Sequence, residues 1–252
     1  MEQAWKIHWF DCIGSTNDEL KKLAAQGAPE GTAVAARTQT GGKGRRGRSF
    51  QSPAGTGMYL SVLLRLQAPA ESCMHLTCAV AVAVHRAIEK CCGIVPGIKW
   101  PNDLTWETRK LGGILTEISA KDGKVDWAVV GIGINCRLPE GGFDPQIAEI
   151  ATDLFTAGGR ECAPQMLAEA VVQELKSLAK TCIPDRKIWM DTYRKHCVTT
   201  GKSVQVITPL GATRAVALEV ADDGGLLVEH PDGTREIVSS GEVSVRGMYG
   251  YT

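Results

Sequence analysis

Between Gly41 and Arg48 the chain reads GGKGRRGR, and the residue types in that stretch can hold an anion. Glycines let backbone N–H groups turn toward one point, and Lys43, Arg45, Arg46 and Arg48 add four cations around it. From Gly31 to Ala70 there is no acidic residue, while Arg37, Lys43, Arg45, Arg46, Arg48 and Arg65 are all positive. Such a loop suits a site where negative charge builds up during phosphoryl or acyl transfer. It could also close over its ligand and keep water out. Gly42, Gly44 and Gly47 match G-x-G-x-x-G, but the dinucleotide-binding reading fails. RSFQSPAGTGMYLSV, which follows, is turn and strand rather than helix, and no acid stands about 20 residues on. TTGKS (199–203) carries the end of a phosphate-loop motif, yet His196 occupies the place of its first glycine. Stacking aromatics for nucleic acid are limited to Phe50 and Tyr59 nearby.

Other polar residues punctuate apolar segments. Ser15, Thr16 and Asn17 lie at a strand-to-helix junction, where Ser15 or Asn17 would also serve as a cap. Gln39 ends a buried strand, and its amide both donates and accepts. KWPND (99–103) has the composition of a turn. Its Asp103 suits either a Mg²⁺ ion near a triphosphate or the orientation of an incoming amine. Lys110 opens an otherwise apolar strand in which Gly112 and Gly113 leave room against the sheet, and Asn135 closes WAVVGIGIN. No G-x-S-x-G or Cys–His signature points to a protein nucleophile. The five histidines form no i,i+4 pair, so neither a metal nor a general-base role is expected of them.

The elements that must position these groups read as an alternation of strands and helices. ELKKLAAQG is a short helix stopped by Gly27, and strands are expected over 32–38 and 57–66. Residues 75–91 form a helix apolar nearly all round, which predicts a central place in the core. Three strand-like segments follow, with turns at 101–103 and 121–123, and then helices over 165–180 and 186–197. From about Val198 short alternating strands with turns at Asp223-Gly224 and Asp232-Gly233 predict a small all-β barrel. The expected division is therefore an α+β domain over 1–197, a mixed sheet flanked by helices, and a β module over 198–252.

Twenty-eight basic and 28 acidic residues cancel, so no global charge draws the chain to nucleic acid or anionic lipid. Nine cysteines, none spaced C-x-x-C and most among apolar neighbours, fit a reducing cytosol rather than a disulfide framework. The start lacks the pattern of a signal peptide, and the longest apolar run, LTCAVAVAV, is too short to span a bilayer. A soluble cytoplasmic protein is the expectation.

GSTND, TQTGGKGRRGRSFQSPAGTGMYLSVLL, GIKWPNDL, RKLGGILTE and VVGIGIN occur together in one order and spacing, and in this the chain resembles the biotin–protein ligases along nearly its whole length. The resemblance implies a class II synthetase-like catalytic domain and an SH3-like C-terminal barrel. It further implies activation of biotin with ATP and Mg²⁺ to biotinyl-5′-AMP, then transfer to a lysine of a carboxyl carrier domain. It assigns Ser15, Thr16, Asn17, Gln39, Gly42, Lys43 and Lys110 to biotin. Arg45, Arg48, Lys99, Asn102 and Asn135 go to ATP or the adenylate, with Lys110, Arg45, Arg48 and Asp103 catalytic. Lys43 stands where the family commonly has Arg, keeping the charge but not the planar fork. A lipoate–protein ligase shares the same adenylation logic, and GGKGRRGR with KWPND favours the biotin form. A DNA-binding repressor is disfavoured because only fourteen residues precede Ser15. The chain is expected to act as a monomer or weak homodimer, without DNA or membrane as partner.

Overall fold

A computed structural model describes residues 5–208, 211–239 and 244–247. The first part is a seven-stranded sheet ordered β1-β2-β3-β7-β6-β5-β4. Its strands are β1 (Ile7–Ile13), β2 (Ala33–Gln39), β3 (Gly57–Leu64), β4 (Gly97–Lys99), β5 (Asp103–Trp106), β6 (Arg109–Lys121) and β7 (Lys124–Asn135). β1 and β2 run parallel and every other neighbouring pair is antiparallel. The helices are α1 (Thr16–Ala25), α2 (Leu76–Cys92), α3 (Pro164–Thr181) and α4 (Arg186–His196).

The strand β3 shows how the sheet is sandwiched. All eight residues are buried, so alternation cannot be read from polarity. Its side chains nevertheless divide by parity. Met58, Leu60, Val62 and Leu64 join the main core with α2 and α3, while Leu63 packs with Leu20, Ala24, Val34 and Val129 beneath α1. Ser61 shares parity with Leu63 and so belongs to the α1 face. β6 and β7 extend the row, because Gly131 pairs with Ser61 on one side and Leu115 on the other.

The helix α2 is central, as its apolar sequence predicts. Twelve of its residues are buried, and each buried Val, Leu or Ile contributes about 1.5–3 kcal/mol. Gly93 ends it at φ 75°, a left-handed cap that glycine takes without penalty. β1 is an exposed edge strand and supplies the strand of the junction expected at Ser15–Asn17, although Ile7–Ile13 does not alternate. GIKWPNDL proves to be two short strands, β4 and β5, around a cis Trp100–Pro101 peptide. The turn at Asp122 and Gly123, both at positive φ, joins β6 to β7 as expected.

The C-terminal module contains β8 (Ser203–Thr208), β9 (Gly211–Val220), β10 (Leu226–Glu229), β11 (Arg235–Val238) and β12 (Ser244–Gly247). They form an antiparallel sheet ordered β11-β10-β9-β8-β12. A closed barrel is the sequence expectation. Among the described residues no ladder joins β11 to β12, so the sheet there is open. The main core runs through both parts without a break. The Trp100 indole donates to the Gly224 carbonyl at 2.9 Å, and Arg194 Nε to the Val220 carbonyl at 2.7 Å.

Candidate active site

A cavity of about 560 Å³ opens on the α1 face of the sheet, between α1, the basic loop, β4–β7 and the edge of the C-terminal module. Eleven of the expected residues line it: Ser15, Thr16, Asn17, Gln39, Lys43, Arg45, Arg48, Lys99, Asn102, Asp103 and Lys110. The chain brings them together from six separate segments.

One end is neutral and hydrogen-bonded. Ser15 has N-cap geometry at the start of α1, but neither it nor Asn17 makes a capping side-chain bond. Thr16 and Asn17 point instead into the sheet. Gln39 Oε1 accepts from Thr16 N at 2.8 Å and Thr16 Oγ1 at 3.1 Å, and Gln39 Nε2 donates to Ser52 Oγ at 2.9 Å. Buried Ser61 Oγ lies 2.8 Å from Thr16 Oγ1 and 2.5 Å from Asn17 Oδ1. Gly131 must be glycine for space, because a Cβ there would collide with the Asn17 amide oxygen.

The other end is cationic. The basic loop is a tight hairpin: Gly44 N donates to Arg48 O at 2.7 Å and Phe50 N to Gly42 O at 2.9 Å. Arg46 holds a positive φ of 57° within a short 3₁₀ turn over Arg45–Gly47. Arg45 folds inward, and Nη1 donates to Asn102 Oδ1 at 3.0 Å. Burial pulls its guanidinium below the usual range and Arg46 and Arg48 add to this, opposed by Asp103. Arg46 stays exposed, and its Nη1 reaches the Ile207 carbonyl of the C-terminal module at 3.4 Å. Lys110 Nζ pairs with Asp103 Oδ1 at 2.7 Å, and its backbone is pinned by Ile150 and Thr152. Lys99 is buried on β4. Gly113 makes room for the Asp103–Lys110 pair, since a Cβ there would lie 2.9 Å from Asp103 Oδ1.

Two expected contacts fall elsewhere. Asn135 lies outside the cavity wall and its amide donates to the Thr152 carbonyl at 3.0 Å, while the space over Gly133 is filled by the Phe50 ring. Gly42 also lies off the wall, packed under Phe50 O and Ser52 Oγ. Sequence reasoning missed Ser52, Ser61 and Glu117. The signal for Ser61 was a lone hydroxyl inside an apolar strand. For Glu117 it was an acid in the run GILTEI. Neither could be aimed without the register of β3, β7 and β6.

Among the described residues no three His, Cys, Asp or Glu side chains come together to hold a metal. Asp103 offers one carboxylate, whose Oδ1 is already paired with Lys110. That fits a Mg²⁺ ion only when nucleotide phosphates supply most of the ligands.

Fold and cavity define a mixed-sheet protein whose cleft pairs a hydrogen-bonding floor with an arginine-lined, cationic end. Residues 9–135 match the Biotin/lipoate A/B protein ligase family, and residues 199–246 match the Biotin protein ligase C terminal domain. The chain belongs to this family and carries the C-terminal domain of biotin protein ligases. It is 32% identical over 237 residues to the bifunctional ligase/repressor BirA of Bacillus subtilis, covering 92% of this chain and 72% of that protein. It is 30% identical over 241 residues to the biotin–[acetyl-CoA-carboxylase] ligase of Paracoccus denitrificans, covering 92% of this chain and 98% of that protein. The biotin protein ligase of Aquifex aeolicus, solved with biotin and ATP, superimposes with a TM-score of 0.81 at 26% identity, over 96% of this chain and 99% of that one.

Proposed function

We propose that the protein activates biotin with ATP and transfers it to a lysine of a carboxyl carrier domain. The observation that carries this reading is the polarity of one cavity. Thr16, Asn17 and Gln39 offer neutral hydrogen-bonding groups at one end, and Lys43, Arg45, Arg48, Lys99 and Lys110 gather cations along the rest. A cyclic urea with a carboxylate tail matches that polarity.

In the first step the biotin carboxylate oxygen attacks the α-phosphorus of ATP, the bond to the β-phosphate breaks, and pyrophosphate leaves. Positioning and charge neutralisation suffice, because ATP supplies its own leaving group. Lys110, held by Asp103, neutralises charge on the carboxylate and α-phosphate, and Arg45 and Arg48 clamp the phosphate side. Lys99 and Asn102 border the nucleotide, and Asn102 aims Arg45. Among the described residues lining the cavity, Asp103 is the carboxylate that would help hold a Mg²⁺ ion, which would neutralise charge on the ATP phosphates. In the second step a carrier lysine amine attacks the acyl carbon of the mixed anhydride, its proton is lost, and AMP leaves. The functional division follows the sequence division, with chemistry in 1–197 and support from 198–252 through Arg46 and Trp100.

Biotin-dependent release of pyrophosphate from ATP, followed by transfer of label to an acetyl-CoA carboxylase carrier domain, tests the reading. Pyrophosphate release with lipoate but not with biotin would overturn it.

A further inference from the structure

The cationic end of the cavity is rich in donors and poor in acceptors. Lys43, Arg45, Arg46, Arg48, Lys99 and Lys110 line it, and ammonium and guanidinium groups only donate. The side-chain acceptors set among them by the KWPND turn are engaged. Asp103 Oδ1 pairs with Lys110 at 2.7 Å, and Asn102 Oδ1 accepts from Arg45 at 3.0 Å. The same cavity is bordered by Gln205, which among the described residues is the one contribution of the C-terminal module to its wall.

The direction of Gln205 follows from its place on β8. Val204 and Val206, on either side of it, are buried in the main core, so alternation turns the Gln205 side chain to the opposite face of the strand. The backbone is held on both flanks, because Gln205 pairs with Arg214 of β9 and with Arg246 of β12. The side chain is therefore what reaches the cavity. Two residues on, the Ile207 carbonyl accepts from the exposed Arg46, so the tip of the basic hairpin and this stretch of β8 meet at the rim. Among the described residues no hydrogen bond ties down the Gln205 amide.

We infer that Gln205 accepts a hydrogen bond from the carrier lysine amine and aims its lone pair at the acyl carbon of biotinyl-AMP, so that it serves the second step alone. The inference rests on the biotin reading. The attacking amine is neutral, with two hydrogens and one lone pair, and the surrounding cations disfavour its protonated form. None of those cations can take an amine hydrogen, whereas an amide oxygen can. As the new C–N bond forms, the C–O bond to AMP breaks and the surplus proton of the amine passes to water. Gln205 does not carry that proton, because an amide is no base at neutral pH. Its part is orientation. The first step has no such need, since the attacking carboxylate has no hydrogens to place.

The test uses the full-length protein with Gln205→Met, which keeps the length and loses the amide oxygen, and Gln205→Glu, which keeps an acceptor of the same reach. Two reactions are read: biotin-dependent ATP–pyrophosphate exchange, and single-turnover transfer from synthetic biotinyl-AMP to an acetyl-CoA carboxylase carrier domain. Expected in Gln205→Met is a limiting transfer rate lowered about ten-fold, with exchange and the KM values for ATP and biotin within about three-fold. Gln205→Glu should transfer several-fold faster than Gln205→Met. Nα-acetyl-lysine methylamide, an amine without a carrier surface, should show the same loss in Gln205→Met. A raised KM for ATP would make Gln205 a nucleotide contact. Weaker carrier affinity at an unchanged limiting rate, with the small amine unaffected, would make it a docking contact. Either result overturns the inference, as does transfer by Gln205→Met at the wild-type rate. Absence of biotin-dependent exchange in the wild type would instead reject the biotin reading, and the two failures are distinct.

Discussion

Lys43 and Asp18 join the basic hairpin to the first turn of α1, with Lys43 Nζ 2.7 Å from the Asp18 carboxylate. The same carboxylate lies 3.1 Å from Lys21. Burial alone would raise the Asp18 carboxyl, but hydrogen bonds from Lys43 and Lys21 outweigh it and hold it below its ordinary value. Both partners of the Lys43 pair are substantially exposed, so the contact is a weak latch worth at most about 1 kcal/mol. Asp18→Asn should therefore speed escape of biotinyl-AMP about two- to five-fold and leave the melting temperature within about 2 °C. A single-turnover measurement of adenylate release checks this. Unchanged release would mean that other contacts hold the hairpin down.

Arg45 should be the stronger clamp, since it is partly buried and aimed by Asn102, itself fixed by donation from Nδ2 to the Ile114 carbonyl at 2.8 Å. A charge in such a place acts with less screening than one in water. Arg45→Gly should accelerate adenylate release about ten-fold or more, and Arg45→Lys should fall between, because the ammonium keeps charge but loses the fork. Retention equal to wild type in the glycine variant would remove Arg45 from the clamp.

Much of this arrangement was legible in the sequence, and the reasons for the rest are specific. α2 could be placed because an all-apolar helix has only the core to occupy, and the cationic end of the cavity because four cations stand in a tract without acids. The conformation of the basic loop could not be read. Its hairpin closes through backbone bonds such as Gly44 to Arg48, which leave no mark on composition. The contact of Arg46 was invisible for a related reason: its partner is the Ile207 carbonyl, 161 residues away. Asn135 has the right type and a plausible strand end, but its amide is spent on Thr152. Gly112 and Gly113 were read as room against the sheet, but at Gly113 the protein's own Asp103 and Lys110 take that room, as Asn17 and Phe50 do over Gly131 and Gly133.

His75 and His85 set an acid limit on stability. Both are buried, and burial pulls each imidazole below its usual value of 6.5. His85 also packs 4.1 Å from the His196 ring, which opposes a second charge. Above the unfolded value both states are neutral at these positions and the stabilisation is fully present. As pH falls through 6.5 the unfolded chain takes up protons that the folded one refuses, and stability is lost. The folded chain should therefore be less stable at pH 5.5 than at pH 7.5. Thermal melts at pH 7.5 and 5.5 should differ by several degrees, lower in acid, and equal melting temperatures would refute the assignment.

Lys110 should separate the two half-reactions. Its Nζ pairs with Asp103 at 2.7 Å, and its backbone N donates to Ile150 O at 2.7 Å, so both ends of the residue are fixed before ligand arrives. A cation held in this way costs no reorganisation as charge builds on the α-phosphate. Lys110→Ala should lower the rate of biotin-dependent pyrophosphate exchange about 100-fold or more. Supplied with synthetic biotinyl-AMP, the same variant should transfer biotin to a carrier domain within about ten-fold of wild type, because the demanding attack on phosphorus is already complete. Asp103→Asn removes the charge that orients Lys110 and should depress exchange less than loss of the lysine itself. If transfer from the ready-made adenylate falls as far as exchange in Lys110→Ala, the lysine serves both steps alike and its restriction to adenylation is wrong.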